Sequence, residues 1–146
     1  MESLNVNVSV KKSPEFFFIV GGQRCGTTWL YRQLENHPTV SMARPMRPEP
    51  KFFMKTTCPV NVDDYLGTHF AHRGKLCTLG EKSTSYYESD SAADAIRCTF
   101  GEARIIFLLR NPVDRALSNY AFSVANGLET RTAEQVFVEG IAPPCS

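Results

Sequence analysis

The chain has 146 residues, 42% of them apolar, which suits one domain with a core of its own and argues against disorder. Its 16 Lys and Arg nearly balance 15 Asp and Glu, and the net charge of +1 excludes a strongly basic nucleic-acid binder without excluding a local basic pocket. No stretch reaches the length of a membrane span, and the polar residues Met1 to Pro14 lack the apolar run of a secretory signal, so they read as a short leader. The five cysteines, Cys25, Cys58, Cys77, Cys98 and Cys145, form no CxxC pair and no zinc-finger spacing. Reduced thiols in a cytoplasmic protein are their simplest account. The alternative is a bridge from Cys58 to Cys77 or Cys98 in a secreted setting.

Five apolar residues, Phe16 to Val20, read as a short strand buried on both faces. Gly21 and Gly22 turn the backbone tightly. Gly26, Thr27 and Thr28 then lead into a helix carrying Trp29, Leu30 and Leu34, which ends at His37-Pro38. Strand, glycine loop and helix N-terminus together predict an anion site, because free N–H groups and the positive end of the helix dipole converge there. Gly21 and Gly26 have the GxxxxG separation of a Walker loop, but Thr27 and Thr28 follow where Lys and then Ser or Thr would stand. The cation lies inside the loop, at Arg24. The pattern predicts a phosphate cradle and argues against a magnesium-dependent NTPase. Cys25, beside Arg24, reads either as a reactive thiol or as a small loop-filling side chain.

Thr39 to Ser41 reads as a short second strand. Pro45, Pro48 and Pro50 forbid a helix and make Ala43 to Pro50 an extended loop that holds Glu49 and is anchored by Phe52 and Phe53. Asp63 to Phe70 predicts a helix opening on an aspartate, and Lys75 to Gly80 a buried strand running into Glu81-Lys82-Ser83. Ser89 to Phe100 predicts a helix with Ala92, Ile96 and Phe100 in register. Arg104 to Leu109 is the clearest strand, apolar without alternation. Asn111-Pro112 starts a helix that runs to Asn126 with Gly127 as its stop, and Thr132 with Gln135 predicts a capped last helix to Glu139. Strands alternating with helices imply a parallel sheet covered on both faces, with ligands at the carboxyl ends of the strands. The glycine loop, Glu81-Lys82 and Arg110 each follow a strand, so all three are expected at one sheet edge. Arg110 and Ser118 have the chemistry to hold a second phosphate; the alternative for Arg110 is a surface pair with Asp114 or Glu102.

Taken together, these motifs resemble those of sulfotransferases that use 3′-phosphoadenylyl sulfate (PAPS). GGQRCGTTWLYRQLENHP looks like that family's 5′-phosphosulfate loop, and RIIFLLRNPVDRALSNY like its 3′-phosphate motif. The branch acting on heparan sulfate and related glycosaminoglycans is the nearest fit. Its Glu-Pro-x-Phe-Phe segment is matched by Glu49, Pro50, Phe52 and Phe53, and its Glu-Lys-[Ser/Thr]-x-x-Tyr segment by Glu81, Lys82, Ser83 and Tyr86. The resemblance implies a P-loop-like three-layer α/β/α domain with a central parallel sheet, spanning residues 1–146 and incomplete in its C-terminal part. It implies PAPS as donor, 3′-phosphoadenosine 5′-phosphate (PAP) as product, and no metal. It assigns Arg24, Cys25, Gly26, Thr27, Thr28 and Trp29 to the 5′ side of that donor and Arg110 and Ser118 to its 3′-phosphate. Glu49 becomes the general base, with Lys82 and Arg24 beside the transferring group. The implied acceptor is a carbohydrate or small molecule carrying a hydroxyl or amine.

His69 and His72 are rival bases, since another branch uses histidine, but their setting does not match that branch's motif. Family members usually continue past Asn126 with another strand and a closing loop, so the sheet is expected to have an open edge where self-association is a risk. The resemblance also adds a second address to the cytoplasmic one, the soluble lumenal part of a Golgi-type enzyme. Two other functions stay open at this point: a P-loop small-molecule kinase, and a non-catalytic nucleotide-binding fragment.

Overall fold

The computed structural model describes residues 15–55, 58, 60–74 and 78–139; the leader Met1 to Pro14 lies outside them. Four strands form one parallel sheet in the order β2-β3-β1-β4, with β1 at Phe16–Gly21, β2 at Val40–Met42, β3 at Thr78–Lys82 and β4 at Arg104–Phe107. Five helices connect and flank it: α1 (Thr27–Glu35), α2 (Val62–His69), α3 (Asp90–Phe100), α4 (Pro112–Ala125) and α5 (Ala133–Phe137). The strand expected from Lys75 runs instead through Lys82, and residues 75–77 lie outside the described set.

β1 organises the core because its side chains alternate across the sheet. Phe18 and Val20 join Phe53, Tyr65, Phe70, Tyr86 and the α3 residues Ala92 and Ile96 on one face. Phe17 and Ile19 join Tyr31 of α1 and Met42 on the other. The result is the expected three layers. Gly80 is required by this packing: a Cβ there would sit 2.1 Å from the Phe17 ring, directly across the β1–β3 pairing. The aromatic side is dense, with the Phe18 ring perpendicular to Phe53 at 5.6 Å and Phe16 against Phe100 at 4.2 Å between centroids.

The helix boundaries follow from capping. Asn111 accepts hydrogen bonds from the N–H groups of Val113 and Asp114, with Pro112 at the first helical position of α4. Thr132 and Gln135 form a reciprocal capping box on α5, as their spacing predicts. At α2 the cap is Asn61, which accepts from Asp63 and Asp64, so the helix starts earlier than the aspartate suggested.

Two expectations need correction. The alternation of strands and helices predicts a sheet covered on both faces, yet at β4, the outer strand among the described residues, Ile105 and Phe107 are 54% and 45% exposed. An unbroken apolar run carries no information on whether neighbours cover both faces. The cysteines are not all reduced: Cys58 and Cys98 form a disulfide that ties the segment after Phe53 to α3, with 6.4 Å between their Cα atoms. Alkylation of the native, unreduced protein is therefore expected to leave Cys58 and Cys98 unlabelled and to reach them only after reduction. Labelling of both without reductant would restore the all-thiol reading.

Candidate active site

The site is built at the carboxyl ends of β1, β3 and β4, where a parallel sheet opens into a crevice. β1 ends in the glycine loop. Gly26 adopts φ 90°, the left-handed region that favours glycine, and a Cβ there would meet nothing within 4 Å because the position faces open space. α1 follows with no side chain capping its first turn, so its leading N–H groups remain available to an anion. The turn after β4 and the start of α4 hold this loop from the other side. Arg110 donates to the Arg24 carbonyl at 3.2 Å, and Arg115 donates to the Gln23 carbonyl at 3.0 Å. Arg110 thus forms neither of the surface ion pairs considered for it.

Arg24 and Gly26, Thr27 and Thr28, and Arg110 and Ser118 line a single cavity of about 300 Å³. The sequence places these groups 80 or more residues apart, and the fold unites them. Arg24 carries its guanidinium over the Phe122 ring at 4.4 Å, and its buried Nε finds no hydrogen-bond partner among the described residues. An orphaned buried donor, an uncapped helix start and two further cation and hydroxyl positions form a donor set that suits phosphate or sulfate oxygens. Two residues of the sequence-based set stand apart. Trp29 is 65% exposed and Cys25 turns its thiol to the Gln23 carbonyl; neither lines the cavity.

A second cavity of about 660 Å³ shares Arg24, Thr27, Thr28 and Arg47 with the first and adds Glu49, Lys82 and Thr84. Here Lys82 pairs with Glu49 rather than with Glu81 or Glu88. Thr84 completes the grip: its N–H donates to Glu49 Oε2 at 2.9 Å and its hydroxyl reaches both carboxylate oxygens. Lys82 is 4% exposed and Glu49 16%, so the pair is largely dry but still reaches the cavity. A larger cavity of about 760 Å³ lies at the opposite sheet edge, against Glu15, Phe16 and Arg104, away from all of these groups.

His69 and His72 line neither cavity of the site. His69 Nδ1 donates to the Arg44 carbonyl at 2.9 Å and His72 Nε2 to the Met42 carbonyl at 3.1 Å, so both are tied to backbone near β2. Sequence reading missed Arg47 and Thr84. Arg47 stands in the same proline loop as Glu49, and Thr84 two residues past Lys82; alternation along the extended chain was the available signal for Thr84. Beneath the pair, Glu81 is fully buried. Burial pushes its carboxyl pKa up, and hydrogen bonds from the hydroxyls of Ser83, Tyr65 and Tyr86 oppose that shift.

Comparisons with known proteins give the family. The family model described as "Sulfotransferase domain" matches residues 14–142. A membrane-associated sulfotransferase, kil1, of Dictyostelium discoideum is 31% identical over 111 residues, covering 74% of this chain and 23% of that protein. The human bifunctional heparan sulfate N-deacetylase/N-sulfotransferase 2 is 34% identical over 116 residues, covering 76% of this chain and 13% of that one. The chain thus spans under a quarter of these curated relatives. A crystal structure of a sulfotransferase from Alicyclobacillus acidocaldarius superposes with a TM-score of 0.68 at 30% identity, over 83% of this chain and 54% of that chain. With this family model matching residues 14–142, most of the chain, the chain belongs to the sulfotransferase-domain family.

Proposed function

We propose that this domain transfers the sulfuryl group of PAPS to a hydroxyl or amine of a carbohydrate acceptor. The observation that carries the reading is the shared wall of the two cavities. Arg24, Thr27 and Thr28 border the anion cavity on one side and the cavity of Glu49 and Lys82 on the other. Bound PAPS supplies an activated sulfuryl group on a good leaving group. The α1 N-terminus, Thr27 and Thr28 hold its 5′ end, and Arg110 and Ser118 its 3′-phosphate, which ATP lacks.

Glu49 takes the proton of the acceptor, and its place is set by Lys82 and Thr84. Lys82 and Arg24 are fixed cations beside the region where negative charge develops, so they stabilise it without reorganising. The heparan sulfate relatives support a carbohydrate acceptor. Among the described residues no helix is long and apolar enough to cross a membrane. The Cys58–Cys98 disulfide favours an oxidising, lumenal setting over the cytoplasmic one, and the alkylation experiment above tests it.

Replacing Glu49 by Gln keeps the shape but removes the base. Turnover is expected to fall by ~10²–10⁴-fold, while PAP affinity measured by calorimetry stays within about twofold, since the carboxylate makes no contact with the nucleotide cavity. Normal turnover in Glu49→Gln removes Glu49 from this role. Arg110→Ala is expected to weaken PAP by roughly 10–100-fold, the range of a lost charge-assisted hydrogen bond, and adenosine 5′-phosphosulfate by much less. Equal losses for the two nucleotides mean that Arg110 does not read the 3′-phosphate.

A further inference from the structure

Glu81 takes no part in the proton transfer assigned to Glu49, yet it is wired to the loop that carries Glu49. Its side chain is 1% exposed. Oε1 accepts hydrogen bonds from Tyr86 Oη and Ser83 Oγ, both at 2.6 Å, and Oε2 accepts from Tyr65 Oη at 2.5 Å. Each hydroxyl has one proton to donate. With that proton committed to Glu81, the Ser83 and Tyr86 oxygens present only lone pairs to the rest of the protein. Backbone groups take them: Lys51 N–H donates to Ser83 Oγ at 3.0 Å, and Phe53 N–H donates to Tyr86 Oη at 3.1 Å. Lys51 is itself in the left-handed region, at φ 48°, so the chain leaving Glu49 and Pro50 makes a sharp turn that these two bonds hold.

The geometry points to Glu81 as a positioning residue: by orienting the Ser83 and Tyr86 hydroxyls it pins the Lys51 and Phe53 amides and so fixes Glu49 in the cavity. This rests on the reading of Glu49 as the base. One stretch of chain performs both halves of the task. Glu81 and Ser83 hold the loop's backbone from beneath, while Lys82 and Thr84 hold its carboxylate from the cavity side. A carboxyl keeps an accepting oxygen whether or not it is ionised. The device therefore needs an acceptor rather than a charge. Glu81→Gln retains one at that position and Glu81→Leu does not.

The test measures amide hydrogen exchange of Lys51 and Phe53, PAP affinity, and turnover with labelled PAPS on the full chain. In Glu81→Leu both amides are expected to exchange at least about tenfold faster, with turnover down by roughly 10–100-fold, the scale of an ångström-level misplacement. PAP affinity should stay within about twofold, and Glu81→Gln should restore most of the turnover. Should Glu81→Leu fail to fold, Ser83→Ala and Tyr86→Phe divide the effect: the first loosens only the Lys51 amide, the second only that of Phe53. Unchanged protection in these variants overturns the proposal, as does lost protection with normal turnover, or a Glu81→Gln variant as impaired as Glu81→Leu. Glu49→Gln is run beside them. Normal turnover there defeats the base reading, and amide exchange alone then decides whether Glu81 holds the loop.

Discussion

The carboxylate of Glu49, gripped by Lys82 and Thr84, is the contact on which the rest of this site depends. It joins a proline-rich loop, which has no regular structure of its own, to the end of β3 in the middle of the sheet. A largely buried ion pair is costly unless its remaining lone pairs and protons are met. Here the carboxylate's other lone pairs are met by a backbone N–H and a hydroxyl, both from Thr84. A strand thus lends its precision to an irregular segment. The anion-cavity side obeys the same logic, since β1 sets the start of α1 and the Arg110 and Arg115 side chains brace the loop between them.

Charge distribution explains how a nearly neutral chain can present a basic pocket. The net charge is only +1. Arg24, Arg47, Lys82 and Arg110 nevertheless gather at one sheet edge, where low-dielectric walls strengthen their field. The opposite edge holds the Arg104–Glu15 pair, in which the charges offset. Composition reports the sum of such groups, and the sum hides the local concentration.

Much of this was legible in the sequence because the relevant physics is local. A glycine loop before a helix, a proline run around Glu49, and the Asn111-Pro112 cap are each set by a few adjacent residues, and the structure keeps all three. What escaped was non-local. The partner of Cys58 was one of two candidates, and only the packing of α3 against the segment after Phe53 selects Cys98. The exposure of Ile105 and Phe107 depends on which strand lies outermost, and an apolar run does not encode that. Trp29 lies two residues into α1, beside Thr28, but helical geometry turns it to solvent instead of the cavity. Glu81 was read as the first residue of the Glu-Lys-[Ser/Thr]-x-x-Tyr segment; its hydrogen bonds to two hydroxyls that in turn accept from two distant amides appear only in the fold.

A cavity built for separate 5′ and 3′ phosphates distinguishes PAP from ADP and ATP. Calorimetry of the protein with PAP, ADP and ATP, with and without Mg²⁺, tests it most directly. PAP is expected to bind about tenfold or more tightly than ADP or ATP, without a need for Mg²⁺, because the proposed partner of Arg110 and Ser118 is present only in PAP. Tighter binding of ATP with Mg²⁺, or no binding of PAP, would contradict it.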